Sequence, residues 1–273
     1  MTPAQRAGIP IENKVVRVSN VEIHIRRDQT EGSQMENASG RRPAVATPFK
    51  SVSSEDLLGR PLNEIEEKYA PEKLFVASNK GLPLPGPRIA IIGSRKASPR
   101  GITLAKELAS FFVKKGVVIV SGLAEGIDTA SHETTIQKGG LTIAVLGTPL
   151  DKSYPAKNDQ LQETIMREHY AVSQFRVGYP TEPKNFVIRN RTMALIADAS
   201  IIIEAGETSG SLHQGWETLR LGRPLFISKV ITGNRSLKWP KKMMEYGAME
   251  LSAPDQVTEI LPSSKRILQI IQS

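Results

Sequence analysis

Four short clusters in this chain carry groups suited to holding an anion: Gly93, Ser94, Arg95 and Lys96; Ser121 and Gly122; Arg189, Asn190 and Arg191; and Ser209, Gly210 and Ser211. Glycine lets a backbone approach a phosphate closely, hydroxyls donate to its oxygens, and a guanidinium fork meets two of them at once. Each cluster also has an architectural use. Arg95 can pair with a carboxylate at a neighbouring strand end, and Ser209 to Ser211 can simply cap a helix. Adjacent helix residues diverge by about 100°, so Arg189 and Arg191 do not share a face. That spacing predicts one arginine at the ligand edge and the other held by protein carboxylates or backbone. Asp128 and His132, four residues apart, share a helix face. No nucleophile stands beside them, so helix capping and a structural hydrogen bond are expected of them rather than acid–base work.

Such donors act together only if the fold gathers them. Four β-branched apolar runs stop in small or polar residues and are followed by helix-like segments: IAIIGSR (89–95), VVIVSGLAEGID (117–128), LTIAVLGTPLD (141–151) and IIIEAGETSGS (201–211). Strands are predicted at 89–92, 117–121, 142–146, 170–173, 200–204 and 224–227, with helices between them. In GITLAKELASFFVKKG, for instance, Leu104, Leu108, Phe111 and Phe112 make one apolar face. Right-handed crossovers then give an α/β, Rossmann-like, doubly wound and mostly parallel sheet with helices on both faces. In such a sheet the strand-to-helix turns lie at one edge, where helix N-termini present unpaired N–H groups and partial positive charge.

The rest of the chain sorts by composition. Residues 1–50 read as a small, partly flexible N-terminal extension: VVRVSNVEIHI (15–25) alternates as a hairpin or edge strand would, and 28–48 is polar enough to be a linker. Residues 51–87 form a lead-in, with a helix over 53–69 capped by Ser54 and a strand at 74–77. The Rossmann-like domain spans 88–262, ending in a short helix that Ser252 and Asp255 are placed to cap, and 263–273 is a tail. A net charge of +8 and a pI near 9.6 favour a polyanionic partner. Aromatic residues make up only 5% of the chain, which argues against an extended base-stacking platform and leaves phosphate contact dominant. Without cysteine there is no disulfide, thiolate zinc site or cysteine nucleophile, and the four histidines lack metal-ligand spacing. No metal or cofactor is expected. No apolar run approaches the roughly 20 residues that span a bilayer, and the first residues lack a secretion signal, so a cytoplasmic protein with no membrane partner is expected.

In order along the chain, GSRKAS (93–98), SGLAEGIDTASH (121–132), GGLTIAVLG (139–147), Tyr154-Pro155, Asn158, Leu161, FVIRNR (186–191), Glu204-Ala205, SGS (209–211) and GR (222–223) resemble the DNA-processing protein A family (DprA, also called Smf). The resemblance implies a Rossmann-like domain that binds single-stranded DNA as a homodimer and helps load a RecA-type recombinase during natural transformation, without an established catalytic reaction. Carried onto this sequence, it places DNA at Gly93 to Arg95, Ser121, Gly122, Arg189 to Arg191 and Ser209 to Ser211. There are departures. Arg100 stands where Tyr is usual and Gln174 where Glu is favoured. His213, Gln214, Gly215 and Trp216 replace a Leu-Ile-Thr-Ala-like helix start, the tail is too short for a winged-helix domain, and the first 70 residues do not match the helical module of many relatives. The alternative is a nucleotide-binding sensor or phosphoribohydrolase similar to the lysine-decarboxylase-like group, whose Gly-Gly-x-Gly-Thr turn precedes a catalytic Glu. Here the turn is AGETSGS, Glu217 is displaced in spacing, and Glu204, at a strand end, is expected to hold Arg189 or Arg191.

Overall fold

A computed structural model describes residues 15–18, 21–24 and 49–261. Near the N-terminus, β1 (Val15–Val18) and β2 (Val21–His24) pair antiparallel with Val18 opposite Val21. The linker expected over 28–48 and the tail over 263–273 lie outside the described residues.

From Phe49 onward the chain builds one nine-stranded sheet. Its strands are β3 (Phe49–Val52), β4 (Leu74–Ala77), β5 (Arg88–Ile92), β6 (Val118–Ser121), β7 (Thr142–Leu146), β8 (Tyr170–Ser173), β9 (Ala199–Ile202), β10 (Leu225–Ser228) and β11 (Met249–Leu251), in the order β11-β10-β9-β5-β6-β7-β8-β4-β3. The run from β11 to β8 is parallel throughout, while β4 pairs antiparallel with β8 and β3 antiparallel with β4. The lead-in thus extends the same sheet. β5 departs rightward to β6 and the chain later returns on its left as β9, so the strand order reverses between β5 and β9 and opens a crevice at their carboxyl ends.

Near-continuous apolar runs form the central strands because helices cover both faces. Along β5, Ala90 and Ile92 pack with Met193, Met243 and Trp239, whereas Ile89 and Ile91 pack with Leu108, Phe112 and Ile127. The first face is covered by α6 (Pro183–Ile196), α7 (Ser211–Arg220) and α9 (Trp239–Glu245), the second by α3 (Pro99–Lys114), α4 (Ile127–Gln137) and α10 (Asp255–Ile260). On α3 the buried stripe is Ala105, Leu108, Ala109 and Phe112, with Leu104 and Phe111 at its border. α5 (Asp159–Glu168) sits against β7 and β8, and α8 (Lys229–Thr232) follows β10.

Two capping expectations change. The segment 53–69 splits at Gly59 into α1 (Ser54–Leu58) and α2 (Glu64–Tyr69), because Gly59 adopts φ +70° and ends the first helix. Ser53, not Ser54, caps α1, its hydroxyl accepting from the Asp56 N–H at 3.0 Å; Ser54 is buried and donates to the Pro71 carbonyl. Neither Ser252 nor Asp255 caps α10. The Gln256 side-chain oxygen instead accepts from the N–H groups of Ser252 and Ala253.

Candidate functional site

The β5–β9 crevice widens into a cleft of about 680 Å³. Three of the four strand-end stops meet there: Gly93 to Lys96 after β5, Ala124 and Asp128 after β6, and Gly206 to Ser211 after β9, with Arg189 and Asn190 of α6 closing one wall. The LGTPLD stop after β7 contributes nothing to the lining up to Asp151.

The loops hold one another. The Asp128 carboxylate accepts from the N–H groups of Gly122 and Ala124, at 3.1 and 3.3 Å, so it organises the turn before α4 rather than capping the helix. Leu123 between them adopts φ +57°, a left-handed conformation costing on the order of 1–2 kcal/mol, and the Asn158 amide donates to its carbonyl at 2.9 Å. Gly126, at φ +77°, lies so close to the carbonyls of Ser94 and Arg95 that a Cβ would strike both, and the Ile127 N–H points at the Ser94 carbonyl. The position of the first loop is therefore set by the second. Glu204 fixes its far end, accepting from the Ser98 N–H and, at 2.7 Å, from the Ser98 hydroxyl. Glu204 does not hold Arg189 or Arg191, because it faces the start of α3.

Arg189 is 5% exposed although it lines the cleft. Its guanidinium donates to the carbonyls of Gly122 and Val145, clamping α6 to the ends of β6 and β7, and its Nε donates to Asn190. Burial lowers its pKa to about 10, with the nearby Asp128 carboxylate opposing the shift, so it remains charged at neutral pH. Burial in turn raises the pKa of Asp128. Asn190 donates to the Gly210 carbonyl at 3.0 Å, tying the same helix to the last loop. Arg191, as the spacing requires, points elsewhere: it sits over the Tyr69 ring and 3.4 Å from Glu217. Both arginines of the pair are thus engaged by protein, and the exposed cations of the cleft are Arg95 and Lys96. Arg95 makes no ion pair among the described residues.

At the last loop the serine hydroxyls of Ser209 and Ser211 bond each other at 2.7 Å and no side chain caps α7. The N–H groups of Leu212 and His213 donate to the carbonyls of Ser209 and Gly210, so what opens into the cleft is the positive dipole end of the helix. Ser121 is fully buried, its hydroxyl donating to the Ile91 carbonyl, and does not reach the cleft; Gly122 lines a small side pocket next to it. His132 does not meet Asp128. Its Nδ1 lies 2.7 Å from the Thr142 hydroxyl, deep in the domain.

Two aromatic residues of the site are absent from the sequence-based expectation. Phe186 and Tyr154 line the cleft with ring centroids 5.0 Å apart, and the Arg95 guanidinium sits 5.5 Å above the Phe186 ring. Tyr154 is 49% exposed. Scarcity of aromatics argued against an extended base-stacking platform, and what the cleft holds is a single pair of rings. The available signal was the three-residue spacing of Phe186 and Arg189, which puts them on one face of α6. Glu217 lies outside the cleft, held by Arg191 and Arg220.

A sequence profile for the DNA recombination-mediator protein A family matches residues 53–262. The chain belongs to that family. Among curated relatives it is 39% identical over 164 residues to DNA processing protein DprA of Streptococcus pneumoniae, covering 60% of this chain and 57% of that protein. With DNA processing protein DprA of Bacillus subtilis it shares 31% identity over 192 residues, or 70% and 65% of the two chains. The X-ray structure of the pneumococcal DprA matches with a TM-score of 0.67 at 31% identity, covering 79% of this chain and 75% of that one. DNA processing protein A from Helicobacter pylori shares the fold, with a TM-score of 0.62 at 24% identity over 77% and 93% of the chains. The chain thus spans about 57% and 65% of the length of these two relatives. Among the described residues no helix is long and apolar enough to cross a membrane and no His/Cys/Asp/Glu group is arranged to hold a metal.

Proposed function

We propose that this member of the DNA recombination-mediator protein A family binds single-stranded DNA in the β5–β9 cleft. The observation that carries the proposal is the convergence of two exposed cations, Arg95 and Lys96, an uncapped α7 N-terminus and the Phe186–Tyr154 pair on one cleft. Cations and the positive end of a helix take phosphates, while aromatic rings take unstacked bases that a duplex does not offer. The solved structure of the Helicobacter pylori relative concerns its single-stranded DNA binding mode, which agrees with this assignment. Homodimer formation and the loading of a RecA-type recombinase in DNA uptake or recombination are proposed from family membership. Binding is favoured over nucleotide hydrolysis because Glu217, the carboxylate that a phosphoribohydrolase would need, is turned away from the cleft into ion pairs.

A mobility-shift assay at two salt concentrations, with single- and double-stranded DNA in parallel, tests the reading. Single-stranded DNA should bind more tightly, with affinity falling steeply as salt rises. Arg95→Ala should weaken binding about tenfold with little sequence preference, whereas Arg191→Ala, outside the cleft, should leave it unchanged. Equal loss from both substitutions, or none from Arg95→Ala, places the strand elsewhere.

A further inference from the structure

We propose that one end of a bound single strand leaves the cleft over the start of α3, where Arg100 holds its phosphates; the inference rests on the cleft assignment above. The crevice has two long rims, because the β5 loop runs into α3 on one face of the sheet and the β9 loop into α7 on the other. Arg95, Lys96 and Arg100, all exposed, follow one another along the α3 rim. None of the three forms an ion pair among the described residues, and the sequence from Gly93 to Lys106 holds no carboxylate. The other borders are neutralised or acidic. Lys157, three residues past Tyr154, pairs with Glu125 at 2.8 Å, Lys184 at the start of α6 pairs with Glu182, and the α7 rim carries the exposed Glu207.

Arg100 is the second residue of α3. Ser98 caps the helix by accepting from the Gly101 N–H at 3.1 Å, and Pro99 takes the first helical position. The Glu204 carboxylate packs against this turn without neutralising the rim: it is occupied by the N–H and hydroxyl of Ser98, and a Cβ at Gly101 would strike it. The turn is thereby fixed to the chain just past β9. A cation in the first turn opposes the positive end of the helix, and the exposed Arg100 has no protein carboxylate to offset this, so the fold gains nothing from its charge. Arg100 also stands where Tyr is usual in DprA-like sequences, so this border is a property of the chain's own residues. A guanidinium with free donors, next in line after the two exposed cations of the cleft and on a rim without carboxylates, is fitted to a phosphodiester. Glu107 lies two turns further on the same side of α3, about 10.5 Å at the helical rise, and its charge ends the strip, which leaves room for about two nucleotides.

The test uses the full chain and two thymidine oligomers, one of about three nucleotides that the cleft can hold alone and one of about 12 that must extend beyond it, with both affinities measured by calorimetry. Arg100→Ala should weaken the long oligomer about fivefold and flatten its log–log salt dependence by about 1, while leaving the short one unchanged. Arg100→Lys, which keeps the charge, should retain most of the wild-type affinity. Thermal unfolding gives a second readout: because the cation opposes the α3 dipole, Arg100→Ala should not lower the melting temperature. Wild-type affinity and salt dependence for the long oligomer in Arg100→Ala overturn the proposal. So does an equal loss at both lengths, which would put Arg100 in the cleft itself, and so does a loss in Arg100→Lys as large as in Arg100→Ala. Arg95→Ala separates the two assignments. If it weakens both lengths and Arg100→Ala weakens neither, the cleft stands and the exit over α3 falls; if Arg95→Ala weakens neither, the cleft assignment falls and this one with it.

Discussion

The site's geometry depends on Arg189 holding protein together. Its guanidinium fills the space beside Gly122 so fully that a Cβ there would overlap three of its atoms, and its hydrogen bonds join the Gly122 carbonyl, just past β6, to the Val145 carbonyl near the end of β7. Gly122→Ala should therefore displace the clamp, lowering stability by about 1–3 kcal/mol and loosening the Leu123 turn against which the first cleft loop rests. Thermal unfolding beside a DNA-binding titration checks this, and an unchanged melting temperature would mean that the guanidinium relocates freely. At this scale the sequence was informative about type and less so about direction. Small and basic residues at strand ends marked the cleft, and the two-residue spacing of Arg189 and Arg191 required that they diverge. That the buried arginine would serve carbonyls at the ends of β6 and β7, with Arg95 left exposed and without an ion pair among the described residues, follows from contacts 67 and 44 residues away in sequence, which no local pattern encodes.

At the level of elements, six of the parallel strands, β5 to β10, were legible because each is a short, largely β-branched run bounded by turn residues, and their ends fell within a residue or two of the predicted ones; β11, with the sequence MEL, has no β-branched residue and was not predicted. The lead-in was less so. β4 was foreseen as a strand, but its antiparallel place beside β8 was not, and exposed β3 carries little apolar signal. What fastens the lead-in is a buried carboxylate: Glu66, whose side chain is 3% exposed, receives a two-pronged contact from Arg60 at 2.7 Å and a third bond from Arg223 at 2.5 Å. Arg223 also donates to the carbonyls of Ala194 and Ala197 at the end of α6, so α2, α6 and the turn into β10 share one junction. Burial alone would push the Glu66 pKa up, but the bonds from Arg60, Arg223 and the Asn63 N–H hold it at about 2. Glu66→Ala leaves Arg223 buried without its counter-charge and should cost about 3–5 kcal/mol, read from denaturant midpoints at neutral pH. Arg60→Ala removes the more exposed partner and should cost less; the reverse ranking would show that the junction is not centred on Arg223 and Glu66.

For the molecule as a whole, a +8 charge has two consequences, an attraction for polyanions and a self-repulsion that grows in acid as histidines and carboxylates take up protons. His132 makes the fold itself sensitive in this range. The Thr142 hydroxyl donates to the Ile119 carbonyl, so it must accept from His132 Nδ1–H, leaving Nε2 as the bare nitrogen, buried and without a hydrogen-bond partner among the described residues. Protonating Nε2 would place an unpaired charge in the core, and burial, reinforced by the charges of His169 and Arg189, lowers the pKa from 6.5 to about 3. The unfolded chain therefore binds the proton first as pH falls, and stability is present above pH 6.5 and lost progressively below it, by about 2 kcal/mol at pH 5. His169, whose pKa is also lowered by burial, acts in the same direction, while Asp128, raised by burial, opposes it. Glu66 contributes only below its ordinary value of 4.5. Denaturant unfolding at pH 7 and pH 5 should show this loss in the wild type and a much smaller one in His132→Asn, where the other groups still titrate. Equal losses in the two proteins would trace the acid sensitivity to net charge and not to the buried imidazole.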